Sequence, residues 1–199
     1  MAEAELPNPE ELRERRDDRF SRRVALITAI YAVLLAIAAL GGNHAMKEMI
    51  LAQQQSSDQW AFYQAKVIRE HQYRAQKLRL EVDLLERGPS VSPDVREKIA
   101  ALAQKFGEEE KRYAEEKKDI EKAAKKLEGE RDLWQRKDPY FLFAEALLQI
   151  AIVMSSVSIL ARSRASFGFS ALLAVVATVL IVNGYLTILD VSLIPHTSH

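Results

Sequence analysis

Glu145 and Gln149 stand one helical turn apart inside an apolar run, and Asn183 falls at a similar depth in a second run that travels the other way. An ionisable group in such a setting is a candidate for handling ions or protons. Glu145 is only about five residues from Pro139, near the end of its run, where a carboxylate reaches water at little cost. Glu145, Gln149 and Asn183 therefore form a candidate polar cluster, readable as a structural hydrogen-bonded set, a solvated boundary or an ion site. Ala151, Ser155, Ser158 and Thr178 read as small-residue helix packing. His44, His71, His196 and His199 show no metal-binding spacing, and the chain carries no glycine-rich phosphate loop or nucleophile elbow. No catalytic residue, metal or cofactor is expected, and the chain reads as a non-enzyme.

Composition narrows the classes further. The 28 Lys and Arg balance the 28 Asp and Glu, without the basic excess that a nucleic-acid binder concentrates on one face. The absence of Cys excludes disulfides, thiolate metal sites and thiol nucleophiles, and leaves the redox compartment open.

The elements that position these groups are three apolar runs around a charged middle. Val24 to Leu40, within a first span at 24–42, covers about 26 Å, most of a hydrocarbon core. A cleaved signal peptide competes for this run, but the arm at 1–23 is long and mixed in charge where a signal peptide has a short basic leader. Residues 140–161 and 167–189 form the second and third spans. Arg13, Arg15, Arg16, Arg19, Arg22 and Arg23 precede the first span, and Arg162 and Arg164 lie in the turn at 162–166. The positive-inside rule thus places arm and turn in the cytoplasm, with residues 43–139 and the tail at 190–199 on the opposite side.

Within the charged middle, Ile99, Phe106, Tyr113, Ile120, Leu127 and Trp134 recur every seventh residue, which is a coiled-coil seam. Gly88-Pro89-Ser90 marks a turn near 88–92, and Ser92-Pro93-Asp94 supplies the start of a new helix, which Pro139 stops or reorients. The expected architecture is all-α, with three transmembrane helices and a long extramembrane antiparallel coiled-coil hairpin between the first and second. On the first arm the matching line is Ala61, Gln64, Ile68, His71, Ala75, Leu78, Val82 and Leu85. Measured from the turn, His71 is level with Glu109 and Gln64 with Glu116. These four form a candidate register lock, the alternative being that a thin seam leaves them wet. A seam this sparse in Leu and Ile favours self-association.

The run Ser57-Asp58-Gln59-Trp60-Ala61-Phe62-Tyr63-Gln64-Ala65-Lys66, after an Arg-flanked first span, resembles the signature of a bacterial membrane-protein family catalogued as domain of unknown function 4337. The layout of one span, a charged middle and two further spans is similar too. The resemblance implies a bacterial integral membrane protein, with Asp58, Trp60, Phe62, Tyr63, Gln64 and Lys66 matching the motif, and implies no activity. These side chains are either a packing knot, with Trp60 and Tyr63 near Ile120, Ala123 and Ala124, or an aromatic patch for a partner. The expected function is a scaffold or accessory subunit of the bacterial inner membrane that self-assembles through its hairpin, in contact with lipid and open to a larger membrane complex. The alternative is an oligomeric conduit or sensor using Glu145, Gln149 and Asn183. A reporter inserted after Gly88 is predicted to be active as alkaline phosphatase and dark as a cytoplasmic fluorescent protein; the reverse pattern would invert the topology.

Overall fold

The computed structural model describes residues 9–87 and 90–187, with side chains from Arg16 onward. Among these residues the chain is all-helical: α1 (Pro9–Arg87), α2 (Pro93–Leu160) and α3 (Arg164–Leu186). Gly88 and Pro89 of the expected turn, and the tail that holds His196 and His199, lie outside the described residues. All three helices are long and apolar enough, by length and composition, to cross a membrane.

The helix boundaries follow local chemistry. Pro93 takes the first position of α2, where its missing N–H costs nothing, and Arg96 N donates to Ser92 O at 3.1 Å. Ser163 caps α3, its hydroxyl accepting from Ser166 N, after Arg162 has turned the chain through a left-handed φ of 48°. Pro139, expected to stop or reorient the helix, does not end it: α2 continues through it to Leu160. An interior proline costs about 3 kcal/mol. Tyr140 and Phe141, which follow it, are both buried.

Two compact units divide the chain, one from Met1–Glu48 with Leu133–His199 and the other from Met49–Asp132. In the first, Tyr31 and Ala38 of α1, Ala144, Leu148 and Ala151 of α2, and Ala174, Ala177 and Ile181 of α3 make one core. Four of these eight residues are Ala on α2 and α3, small side chains that let those two backbones approach closely. Ser170 Oγ donates to Ala151 O at 2.8 Å, which spends its only proton; Ser155 Oγ, 2.7 Å away, is therefore the donor between the two hydroxyls. At one end Asp17 pairs with Arg162 at 2.9 Å and Phe20 meets Phe167 edge-on. Toward the other end the Phe141 ring lies between glycines: a Cβ on Gly41 would stand 2.5 Å from the ring, and one on Gly184 2.9 Å. Trp134, the last member of the apolar line, belongs to this unit, edge-on to His44 at 5.3 Å.

In the second unit, residue numbers on α2 fall as those of their α1 partners rise, from Trp60 with Glu128 to Lys77 with Glu110, so the two segments run antiparallel. The α2 line of Ile99, Phe106, Tyr113, Ile120 and Leu127 faces inward, beside buried Ala103 and Ala124. The α1 line does not. Ala61, Gln64, Ile68, His71, Ala75, Leu78, Val82 and Leu85 are all exposed. Ala52, Ser56, Tyr63, Lys66, Glu70, Tyr73 and Lys77 face α2 instead, about 150° away round the helix at 100° per residue.

Gly41→Ala and Gly184→Ala should each destabilise the detergent-solubilised protein by about 1–3 kcal/mol, because each forces a buried ring to move. Gly129, whose Cβ would meet nothing within 4 Å, should instead gain up to about 1 kcal/mol as Ala. Thermal unfolding followed by circular dichroism reads both signs.

Candidate functional site

The densest chemistry of the charged unit surrounds Tyr113, which α2 buries to 5% exposure while presenting its ring to α1. Tyr73 stacks on it at 5.6 Å and 13°, and also touches Phe106. The phenol oxygen accepts from Arg112 Nη2 at 3.1 Å and Arg69 Nη1 at 3.4 Å, while Lys66 Nζ lies 5.0 Å from the ring centre. Hydrogen bonds from Arg69 and then Arg112 hold the phenol below its usual range, and the same bonds raise both guanidinium groups. Three cations thus converge on one aromatic ring.

Carboxylates from both segments balance them. Lys66 Nζ donates to Glu116 at 2.5 Å, and Arg112 lies 3.4 Å from the other oxygen of Glu116. Lys117 Nζ donates to Glu70 at 2.5 Å, and Lys77 approaches Glu110 at 3.6 Å. Glu109 Oε2 lies 2.7 Å from Arg112 Nη2 but off hydrogen-bond alignment, so that contact is ionic without being directional. The layer holds positive charge, neutralises it and orients one phenol. It suits specific pairing of two helices, since slipping α1 by one turn would strand these charges.

The expected register lock is not formed. His71 and Gln64 are exposed on the far side of α1, while Glu109 meets Arg112 and Glu116 meets Lys66 and Arg112. Rotating α1 to bring His71 inward would break the Tyr73 stack and both short Lys–Glu pairs. The motif residues divide between the two faces. Trp60 donates to Glu128 Oε1 at 2.8 Å and packs edge-on against Tyr63, and Lys66 joins the Tyr113 layer. Asp58 and Gln64 are exposed, and Phe62 is half-exposed with Lys66 over its ring at 5.1 Å.

In the apolar unit, Gln149 Nε2 donates to Glu145 Oε1 at 3.3 Å, and this pair lies on an outer face of α2. Asn183 is buried on α3, its carbonyl accepting from Thr187 N. Ser155 and Ser158 are buried, as small-residue packing requires. Sequence reasoning missed Arg69, Glu70, Tyr73 and Lys117. The legible signal was complementary charge: Lys66, Glu70 and Lys77 recur at spacings of four and seven, and Glu110 and Lys117 opposite them are seven apart.

The model of a family described as domain of unknown function DUF4337 matches residues 20–187, which include the Asp58 to Lys66 motif, the Tyr113 layer and the Glu145–Gln149 pair. No curated protein and no solved structure matches the chain.

The ion pairs set a pH window. The hydrogen bond from Lys66 lowers the carboxyl of Glu116, so its contribution is complete above the ordinary value of 4.5 and fades as pH falls through the lowered one. The hydrogen bond to Glu70 raises Lys117, whose contribution is complete below the ordinary 10.5 and fades as pH rises through the raised one. These two pairs leave the thermal midpoint level from about pH 5 to pH 10 and lower it on either side, while ionisation of the lowered Tyr113 phenol adds stability as pH approaches 10. Lys66→Ala should move the acid limb to higher pH; an unmoved limb would assign it to other carboxylates.

Proposed function

The chain belongs to the DUF4337 family, and from that premise we propose that it is a non-enzymatic scaffold or accessory subunit of a membrane, self-assembling through a coiled-coil hairpin made by the charged segments of α1 and α2. One observation carries the reading. A second apolar line runs along α1 at coiled-coil spacing, and α2 leaves it bare: Ile68 is 57% exposed, Leu78 50%, Val82 49% and Leu85 81%. On a helix already paired along its opposite face, these are positions that water normally claims for polar residues. Repeated Ile, Leu and Val there are the mark of a further helix, and another copy of the hairpin is the partner that the chain itself supplies.

The membrane setting is bacterial, with the arm and the Arg162/Arg164 turn cytoplasmic and the hairpin outside. The Asp17–Arg162 pair and the Phe20–Phe167 contact support a common side for arm and turn. The Glu145–Gln149 hydrogen bond on the outer face of α2 favours a second reading, an oligomeric conduit or sensor. Glu145→Gln that alters ion flux while assembly persists would select it.

Native mass spectrometry from mild detergent should give one homo-oligomeric mass. The double variant Ile68→Asp/Leu78→Asp removes roughly 3–6 kcal/mol of apolar burial per copy and should shift that mass to the monomer. A wild-type monomer would overturn self-assembly, and stoichiometric foreign subunits would make the chain an accessory of their complex.

A further inference from the structure

The apolar stretches of the three helices present their outer faces differently. On α1 between Val24 and Leu40, every exposed residue is apolar, and on α3 between Gly168 and Gly184 every exposed residue is apolar or Gly. That is the composition lipid demands. On α2 the exposed line is Leu142, Ala146, Gln149, Val153, Ser156 and Leu160, with alternating spacings of four and three. It carries an amide and a hydroxyl where the exposed residues of its neighbours are hydrocarbon or Gly alone.

Gln149 falls at the middle of Tyr140 to Leu160, about 15 Å from either end. Its hydrogen bond to Glu145 uses one amide N–H. A second N–H and the amide oxygen remain on an outward face. Ser156 Oγ already donates to Ile152 O within its own turn, so it contributes a small, quiet surface. An amide pointing into lipid at mid-depth is strongly disfavoured, whereas Ala146 one turn before it and Ser156 two turns after it allow a helix to approach closely enough to cover it.

We propose that this face of α2 is a second self-association surface, occupied within the membrane by α2 of another copy. The inference rests on reading the apolar stretches as membrane spans. A second copy is the occupant because both copies insert the same way, so their α2 helices run parallel and bring Gln149 to Gln149 at the same depth. An amide is both donor and acceptor and therefore satisfies its own kind across a two-fold axis. The alternating spacing is that of a two-helix seam, with Ala146 and Ser156 flanking the amides as the close-approach points.

The natural absence of Cys makes the test direct. Full-length single variants Ala146→Cys and Val153→Cys on α2, Val33→Cys on α1, Leu172→Cys on α3 and Leu78→Cys in the charged unit are oxidised with copper phenanthroline in native membranes. Homodimer is expected at 146 and 153 and not at 33 or 172. In the Val153→Cys background, Gln149→Leu should lower the dimer yield about tenfold, the loss of two interhelical hydrogen bonds, while Gln149→Asn should retain much of it. Equal yields at 153, 33 and 172, an adduct of foreign mass at 153, or an unchanged yield with Gln149→Leu would overturn the proposal. Dimer at Leu78→Cys without dimer at 146 and 153 leaves the scaffold reading standing and ends this one. The converse pattern ends hairpin-mediated assembly and keeps this surface.

Discussion

The Lys117–Glu70 and Lys66–Glu116 ion pairs fix how α1 is turned about its own axis against α2, and the rest of the charged unit follows from that rotation. With those ions inward, Tyr73 stacks on Tyr113, Trp60 reaches Glu128, and Arg69 and Arg112 close on the phenol. The same rotation turns Ile68, Leu78, Val82 and Leu85 outward. A seam made of partly screened ion pairs contributes modestly to stability and strongly to orientation. The apolar surface that would contribute most is therefore the surface that α2 leaves uncovered. Pairing within the chain spends charge and leaves the apolar line of α1 uncovered.

How far the sequence disclosed this arrangement depends on the helix. On α2 the apolar residues at every seventh position sit in a field of charge, so only one face can turn inward, and it does. On α1 two lines of heptad spacing compete. The more apolar one, from Ala61 to Leu85, reads as the seam, yet the ionic and aromatic one from Ala52 to Lys77 faces α2. Apolar periodicity identifies a face that wants covering without saying what covers it. Complementary charge between residues about 50 apart, such as Lys66 and Glu116, is invisible to local periodicity and decides the rotation. At Pro139 local chemistry argues for an end or a change of direction, and α2 continues through it to Leu160 with Tyr140 and Phe141 buried just beyond. The Glu145–Gln149 pairing followed directly from i,i+4 spacing.

The apolar unit solves its own packing problem with small residues. Ala at 144, 151, 174 and 177 lets α2 and α3 meet closely, and the Ser155–Ser170–Ala151 hydrogen bonds tie the same two helices. Gly41 and Gly184 make room for one large ring, Phe141. These features position backbones and leave chemistry to the outer faces. The two units thus share a logic in which interior contacts set orientation and apolar side chains remain on the outward faces.

The alternating spacings on α1 carry a consequence for how such chains change over generations. One inserted residue turns everything beyond it by about 100°, which would carry Lys66, Glu70 and Tyr73 off α2 and swing Ile68 and Leu78 away from their shared outward line. Both faces of α1 return to phase only after seven residues, and α2 must lengthen by seven as well to keep Trp60 opposite Glu128 and Lys77 opposite Glu110. A change of length in this segment keeps both faces of α1 in phase only when the two helices gain or lose about seven residues together.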